Sequence, residues 1–400
     1  MSRSEGEKYP EMRFNGFTEA WEQRKFTEIV DRVKTSSNSD LLPKVEFEDI
    51  KAGEGRLNKD VSHKFDTRKG THFKPNNILF GKLRPYLKNW LLPDFEGIAL
   101  GDFWVFEPKN SDANFIYYLI QASKYQKVAN DTSGTKMPRS DWKQVSTTSF
   151  SVPCFEEQIK IGSFLKRLDN TIALHQRKLD RLQRLKKAYL QVMFPKQEYK
   201  IPEVRFANFN DPWEQRKLEE LATFKKGSGY SKSDLRSEGT PAIHYGRLYT
   251  DYEILIKDVD TFVEVKENSI ISQGNEVIVP ASGETSEDIS RASVVVKAGI
   301  ILGGDLNVIK PNVLVDSSFL ALTISNGEQQ KELTRRAQGK SVVHLRNSDL
   351  KEVNLSYPII DEQRKIGSFF ERFDNIIGLN QKEIDKLNLL KKAYLKKMFI

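Results

Sequence analysis

Length, composition and charge limit the classes of protein that this sequence can represent. The 400 residues suffice for about two to three domains, and a mean hydropathy of −0.55 without any long apolar run predicts no membrane span. The charged N-terminal residues predict no secretory signal, and a single cysteine, Cys154, excludes an internal disulfide, so we expect a cytoplasmic protein. The net charge of +8 suits a nucleic-acid partner without requiring one.

The opening segment of the chain is repeated in its middle. The pentamer Trp-Glu-Gln-Arg-Lys occupies residues 21–25 and again residues 213–217, a shift of 213 − 21 = 192. Proline, glutamate, arginine and phenylalanine residues on its N-terminal side recur at the same shift. An identical pentamer in a matched context indicates an internal duplication. We therefore predict two similar halves, each with an opening segment, a middle segment and a closing helix.

The first middle segment, residues 27–152, combines short strand patterns with turns. Residues 77–80 and 103–106 have strand patterns, and residues 115–120 are an apolar piece, either helical or buried. Basic and aromatic residues are interleaved within residues 64–88, a pattern that suits contact with both phosphates and bases. An ordinary solvated face of a lysine-rich protein explains this pattern equally well.

The first closing helix follows, and the chain ends on a near copy of it. Residues 155–195 and 360–400 match at a constant shift of 366 − 161 = 205. Apolar residues fall alternately about three and four apart, which predicts coiled-coil helices of roughly 50 Å. The alternative is two amphipathic helices on separate cores. The predicted seam consists of Ile161, Leu165, Leu168, Ile172, His175, Leu179, Leu182, Ile366, Phe370, Phe373, Ile377, Asn380, Ile384 and Leu387.

The second middle segment, residues 219–357, matches the first only near its end. Both middles close with a glycine, an arginine and an Asp-x-Lys-x-Val stretch, at shifts that change from 205 to 208 and back to 205. This change predicts loops of variable length, residues 134–139 and 339–346, and we expect such loops to contact base edges. The candidate DNA-binding residues are Lys64, Arg68, Lys69, His72, Lys82, Arg84, Tyr86, Lys136, Arg139, Lys225, Lys226, Tyr230, Lys232, His244, Tyr245, Arg247, Lys340, His344 and Arg346.

A search for catalytic motifs finds only weak matches. Residues 339–341 end like a phosphate-binding loop, but position 334 is a threonine where that loop needs a glycine. Residues 264–266 match the Glu-x-Lys end of a Mg²⁺-dependent nuclease motif and alternate as a strand does, yet such triplets are common in a chain with 30% charged residues. His63 and His72 are a weak pair of metal-ligand candidates. We therefore expect no catalytic residue, metal or cofactor on this chain.

The two repeats together resemble the specificity subunit of type I restriction-modification systems. The resemblance rests on the two Trp-Glu-Gln-Arg-Lys openings and on the two helices that end in Leu-Lys-Lys-Ala-Tyr-Leu, and it covers nearly the whole chain. It implies an α+β fold, in which two target recognition domains of mixed α/β structure are separated by two long helices packed as an antiparallel coiled coil, with a pseudo-twofold repeat. The implied limits are 1–152 for the first recognition domain with its opening segment, 153–195 for the central helix, 196–208 for a linker, 209–357 for the second recognition domain and 358–400 for the C-terminal helix.

The resemblance also implies a function and partners. A specificity subunit is not itself catalytic: it binds a bipartite double-stranded DNA target with a fixed gap, and it recruits two modification subunits and, for restriction, ATP-dependent translocating nuclease subunits. S-adenosylmethionine, ATP and Mg²⁺ are then expected on those partners. Because the two middle segments differ, we expect two different half-sites. The alternatives are a two-domain coiled-coil adaptor that binds protein or RNA, and a free-standing metal-dependent nuclease.

Overall fold

The computed structural model describes residues 9–131, 136–196, 199–339 and 342–400. The chain divides into two compact units, one formed by Met1–Arg177 with Lys382–Ile400 and the other by Lys178–Gln381. The divisions fall inside the long helices, so each unit contains part of each helix. They therefore cross the domain limits that the repeats imply, and those limits stay a prediction. Within the described ranges, no helix is long and apolar enough to cross a membrane.

The first unit consists mainly of short strands followed by the first long helix. In chain order the elements are β1 (Glu22–Lys25), α1 (Phe26–Ile29), β2 (Val30–Val33), β3 (Ser36–Ser37), β4 (Lys44–Val45), β5 (Ile50–Lys51), β6 (Arg56–Leu57), β7 (Gly70–Phe73), β8 (Ile78–Gly81), β9 (Trp90–Leu91), β10 (Gly97–Ala99), β11 (Phe103–Pro108), α2 (Ala113–Leu119), α3 (Ser123–Ala129), α4 (Trp142–Thr147), β12 (Ser149–Val152) and α5 (Phe155–Val192), of which the residues up to Arg177 lie in this unit. One of its sheets has the order β2-β11-β8-β9 and another has the order β3-β7-β10-β4, while β1 pairs with β12 and β5 with β6.

Apolar runs in the first middle segment produce its core. All four residues of β8 and the first four of β11 are buried, as expected for adjacent strands covered on both faces. The side chain of Asp112 accepts a hydrogen bond from the Phe115 N–H at 2.9 Å and so caps α2. Residues 115–119 of α2 are buried in the same core. The strand patterns and the apolar piece predicted for this segment are confirmed.

The second unit repeats this plan with more strands. Its elements are β13 (Glu214–Lys217), α6 (Leu218–Leu221), β14 (Ala222–Lys226), β15 (Leu235–Arg236), β16 (Thr240–Ile243), α7 (Arg247–Thr250), β17 (Leu255–Ile256), β18 (Phe262–Val263), β19 (Ile271–Gln273), β20 (Glu276–Pro280), β21 (Ser282–Gly283), α8 (Ser286–Ile289), β22 (Ser293–Val295), β23 (Ala298–Leu302), β24 (Leu306–Pro311), α9 (Ser317–Ile324), α10 (Gly327–Arg336), β25 (Val343–His344), α11 (Asn347–Lys351), β26 (Asn354–Tyr357) and α12 (Ile360–Met398), of which the residues up to Gln381 lie in this unit. Its largest sheets have the orders β14-β24-β20-β22-β17 and β15-β18-β16-β23-β19, while β13 pairs with β26 and β21 with β25.

The same ion pair fastens the opening segment to the long helix in each unit. In the first unit, the Arg13 guanidinium donates two hydrogen bonds to Glu157, at 2.7 and 2.8 Å. In the second unit, Arg205 donates two to Glu362, both at 2.7 Å. Both glutamate side chains are fully buried. A paired geometry of this kind is the strong form of a charge-assisted hydrogen bond, so it fixes where each opening segment lies on its helix.

Each unit, taken by itself, contains two helical segments that pack antiparallel. In the first unit, Phe164 near the start of α5 contacts Tyr394 near the end of α12, with ring centroids 4.8 Å apart. In the second unit, Tyr189 near the end of α5 contacts Phe369 near the start of α12, at 5.2 Å. The predicted seam residues are all buried or half-buried. The two helices contain 38 and 39 residues.

The last residues of each long helical stretch enter a hydrophobic core. Phe399, just after α12, stacks on Phe115 of the first unit with ring centroids 5.3 Å apart. Phe194, just after α5, stacks on Phe319 of the second unit at 5.8 Å. The C-terminal end of the chain therefore completes the core of the first unit.

Candidate nucleic-acid interface

In the first unit, two separate basic stretches lie side by side. The Ser140 N–H donates to the carbonyl oxygen of Lys82 at 2.9 Å, and the Arg84 N–H donates to that of Pro138 at 2.7 Å. These bonds join the loop after β8 to the segment before α4. The joined segments, residues 82–88 and 136–139, are named the first recognition surface, which brings together the candidates Lys82, Arg84, Tyr86, Lys136 and Arg139.

The first recognition surface is cationic and its loop is conformationally strained. Arg84 and Lys88 have φ angles of 48° and 58°, in the left-handed region that residues other than glycine seldom adopt. Such strain is concentrated at functional sites, because it persists only where the surroundings impose it. Arg139 lies 3.0 Å and Lys82 3.5 Å from the carboxylate of Asp102. One carboxylate shared by two cations orients them and leaves the surface positive.

The second unit has the same arrangement at the same place. The Leu345 N–H donates to the carbonyl oxygen of Ala281 at 3.0 Å, as Ser140 does to Lys82 in the first unit. Next to this bond, Ser282 of β21 pairs with His344 of β25. In the first unit the corresponding β-bridge involves Arg139. His344 is therefore the structural counterpart of Arg139.

Two tyrosines extend the second surface. The Tyr249 hydroxyl donates to the carbonyl oxygen of Ser282 at 2.7 Å, and its ring contacts that of Tyr245 at 6.0 Å. Burial raises the pKa of Tyr249, so the hydroxyl stays protonated as a donor. A side chain at Gly283 would place its Cβ 2.7 Å from this hydroxyl, so the contact requires glycine there. The second recognition surface comprises residues 282–284 and 342–344 with Tyr245 and Tyr249.

The predicted change of register near these loops is wrong. Phe26 and Leu218 donate to the carbonyl oxygens of Thr148 and Val353, at 3.0 and 2.9 Å, so the supports differ by 353 − 148 = 205 positions. The match of the two Asp-x-Lys-x-Val stretches is accidental: one aspartate caps α4, whereas the other lies inside the first turn of α11. The shift is 205 at the two glycines in the sequence, at the pair Ser140 and Leu345 and at these supports, so residues 134–140 and 339–345 are segments of the same number of residues.

Other candidates in the first unit are bound to acidic side chains. Lys64 and Arg68 both contact Glu46, at 2.6 and 2.7 Å. Hydrogen bonds from Arg68 and Lys64 lower the pKa of Glu46 below its ordinary value. His72 Nε2 lies 2.7 Å from Glu96. To bind a phosphate, each of these residues would have to exchange its carboxylate partner for the phosphate.

Several candidates in the second unit also have internal roles. Tyr230 is only 8% exposed and donates to the carbonyl oxygen of Glu264 at 3.1 Å, so it is a packing residue and stands outside the surface. Arg247 lies 3.1 Å from Glu253. His244 is half-buried, and this burial lowers its pKa. Lys69, Lys225, Lys226, Lys232 and Arg346 are exposed, and Lys340 lies outside the described residues.

Comparison with known proteins identifies the family. The family model for the type I restriction modification DNA specificity domain matches this chain twice, at residues 18–184 and 210–389. The chain belongs to this family. The resemblance to type I specificity subunits that the two repeats predicted is therefore confirmed.

A known relative and two solved structures match this chain over most of its length. The type I restriction enzyme MjaVIII specificity subunit of Methanocaldococcus jannaschii is 21% identical over 312 residues, which cover 74% of this chain and 72% of that protein. The crystal structure of the type I restriction-modification S subunit from M. genitalium matches with a TM-score of 0.64 at 16% identity, covering 98% of this chain and 99% of that one. A chain from a study of type I R-M complex assembly and conformational transition matches with a TM-score of 0.54 at 17% identity, covering 94% and 96%. The predicted α+β fold class with its internal repeat is confirmed.

The Glu-x-Lys triplet of this specificity-family member is not arranged as a metal site. Its predicted strand is wrong, because β18 ends at Val263. Glu264 lies 3.5 Å from Arg236, whereas Lys266 lies 2.7 Å from Asp234, so the two side chains have different partners. Residues 9–131, 136–196, 199–339 and 342–400 contain no group of three or more His, Cys, Asp or Glu side chains that could hold a metal ion.

Sequence reasoning missed three residues at these surfaces. Asp102 orients two of the cations, and a lone aspartate in a charged chain gives no signal of that role. Met137 and Val342 lie on equivalent segments, 342 − 137 = 205 positions apart. The constant shift of the repeat was a usable signal for this pair, but the assumed change to 208 concealed it.

Proposed function

We propose that this chain is the DNA-recognition subunit of a type I restriction-modification complex and that each unit binds one half of a bipartite double-stranded target. The observation that carries the proposal is the equal placement of the two recognition surfaces with unlike side chains on them. Arg139 in the first unit corresponds to His344 in the second. A duplicated scaffold suits two half-sites on one duplex, and unlike side chains select unlike bases.

The proposal includes a gap of fixed length between the half-sites. The long helices have 38 and 39 residues, which correspond to about 57 Å of continuous helix at 1.5 Å per residue. In this proposal, the two long helices set the spacing of the half-sites. Lengthening both helices by one turn is expected to change the gap by about one to two base pairs, since a turn is roughly 5 Å.

The chemistry of the complex is assigned to its other subunits. Two modification subunits methylate adenine with S-adenosylmethionine, and restriction subunits cleave DNA with ATP and Mg²⁺. This chain is non-catalytic in that assembly and acts in the cytoplasm, where the DNA is. Its own contribution is to select the site and to hold the partners there.

Mapping of methylated adenines tests the proposed function. The chain is co-expressed with its cognate modification subunit, and modified adenines are located across a genome by single-molecule sequencing. We expect a split motif with one modified adenine in each half and a constant gap. A continuous motif, or a stable complex that leaves DNA unmodified, would instead favour an adaptor that binds protein or RNA.

Replacement of the two bridge residues should affect one half-site each. Arg139→Ala is expected to lose about 1–3 kcal/mol of discrimination at one position of the first half-site, and His344→Ala at one position of the second. The measurement is binding to targets with single base changes, at one salt concentration because phosphate contacts depend on salt. Equal weakening on unrelated DNA would mark a phosphate contact rather than a base contact.

Repeated exposed leucines on the long helices suit two copies of one partner. Leu174 is 60% exposed and Leu379 is 68% exposed, at the same position of each repeat. We propose that each contacts one modification subunit. Leu174→Glu or Leu379→Glu is then expected to leave one bound copy and the double variant none, as counted by native mass spectrometry. Lys166→Glu is the control, because the second repeat already has Glu371 there. Two bound copies in the double variant would place the contact elsewhere.

A further inference from the structure

Both recognition surfaces expose an apolar side chain at the same position. Met137 is 50% exposed and Val342 is 51% exposed. Each lies two residues before the residue that pairs across to the neighbouring segment, Arg139 in one unit and His344 in the other. One exposed apolar side chain is ordinary on a protein surface. Its repetition at the same place in two otherwise different segments calls for a function, because a half-exposed side chain adds little to either core.

The surroundings of Met137 are those of a base-contact site. Tyr86 and Leu87, on the adjoining loop of the same surface, are 55% and 42% exposed. The exposed basic residues Arg84 and Lys136 belong to the same two segments. The two hydrogen-bonded segments therefore carry exposed apolar and exposed basic side chains together. Basic side chains complement the phosphates on both sides of a groove, and exposed apolar side chains among them suit contact with the base edges.

The chemistry of the major groove indicates which group an exposed apolar side chain contacts there. Each base pair presents hydrogen-bond donors and acceptors there, and the apolar group among them is the C5-methyl of thymine. We propose that Met137 and Val342 each contact the C5-methyl group of one thymine in the half-site bound by their unit. This inference rests on the proposed function. Methionine is long and flexible whereas valine is short and branched, so the two contacts differ in reach.

Replacement of thymine by uracil tests the contact, because it removes the methyl group alone. The protein is the complex of this chain with its modification subunits, and the probe is the target duplex with each thymine of one half-site replaced in turn. At one thymine of the first half-site, uracil is expected to weaken binding about fourfold, the effect of one buried methyl group. In Met137→Ala the same replacement should have no effect. Val342→Ala should abolish the corresponding effect in the second half-site only.

An exposed leucine elsewhere in the first unit provides the control. Leu41→Ala removes another exposed apolar side chain of the first unit, 81% exposed, and should leave every uracil effect unchanged. If uracil weakens the wild type and Met137→Ala equally at every thymine, the methyl contact is wrong while bipartite recognition stands. If Met137→Ala weakens binding equally on duplexes of unrelated sequence, the methyl contact is also wrong. Failure of the wild-type complex to prefer any split target would reject the proposed function itself.

Discussion

Replacement of Phe399 by alanine should destabilise the first unit by about 3–5 kcal/mol, although Phe399 is next to the end of the chain. The side chain is 4% exposed and stacks on Phe115 in the core that also holds Trp21 and Ile161. Its removal loses the burial of a phenyl ring and leaves a cavity beside helix α2. The stacking partner Phe115 belongs to the first unit, so the loss of stability is expected there.

The repeat supplies a matched variant that acts on the other unit. Phe194 is 8% exposed and stacks on Phe319 of α9 at 5.8 Å. Hydrogen exchange with mass spectrometry distinguishes the two cases: Phe399→Ala should reduce amide protection in α2, and Phe194→Ala in α9. Leu389→Ala, at a position of α12 that is 71% exposed, should change neither. Loss of protection in the same unit for both phenylalanine variants would contradict the described packing.

The duplicated segments made much of the fold predictable. Residues that recur at a constant shift occupy equal environments, so the two long helices and the family followed from the repeat. The strands at residues 77–80 and 103–106 followed instead from their apolar patterns. What the repeat could not show is the core that each helix end enters. Phe194 and Phe399 are equivalent by sequence, but equivalence holds whether a helix end packs with its own half or with the other. Only the contacts with Phe319 and Phe115 decide this.

The recognition surfaces were predictable only in part. Basic and aromatic residues mark candidates, but sequence does not show which cations have internal partners. Arg68 lies 2.7 Å from Glu46, 22 positions away, whereas Arg84 is exposed in a strained loop. Tyr230 matched the same composition pattern and is buried. Ion pairing and burial depend on contacts between distant residues, so composition alone cannot separate these cases.

Loss of the buried ion pair between Arg13 and Glu157 should destabilise the first unit about as much as Phe399→Ala does. In Glu157→Ala, the Arg13 guanidinium, 14% exposed, is left without its carboxylate, which is expected to cost about 3 kcal/mol. Hydrogen bonding to Glu157 raises the pKa of Arg13 in the wild type. Arginine also stays protonated without an acidic partner, so in the variant Arg13 does not escape the cost by losing its proton. Urea unfolding of the isolated chain measures the change, and Glu362→Ala should repeat it in the second unit.

Two comparisons separate this ion pair from surface charge in general. Glu22 lies 2.6 Å from Arg24 but is 66% exposed, so Glu22→Ala should change stability by less than about 1 kcal/mol. The double variant Arg13→Met with Glu157→Leu should recover much of the loss, because it removes both buried charges and leaves neither unpaired. If Glu157→Ala and Glu22→Ala have the same unfolding midpoint, the pair does not hold the opening segment. If the double variant does not recover the stability lost in Glu157→Ala, the geometry of the pair, and not merely its charge balance, positions that segment on the helix.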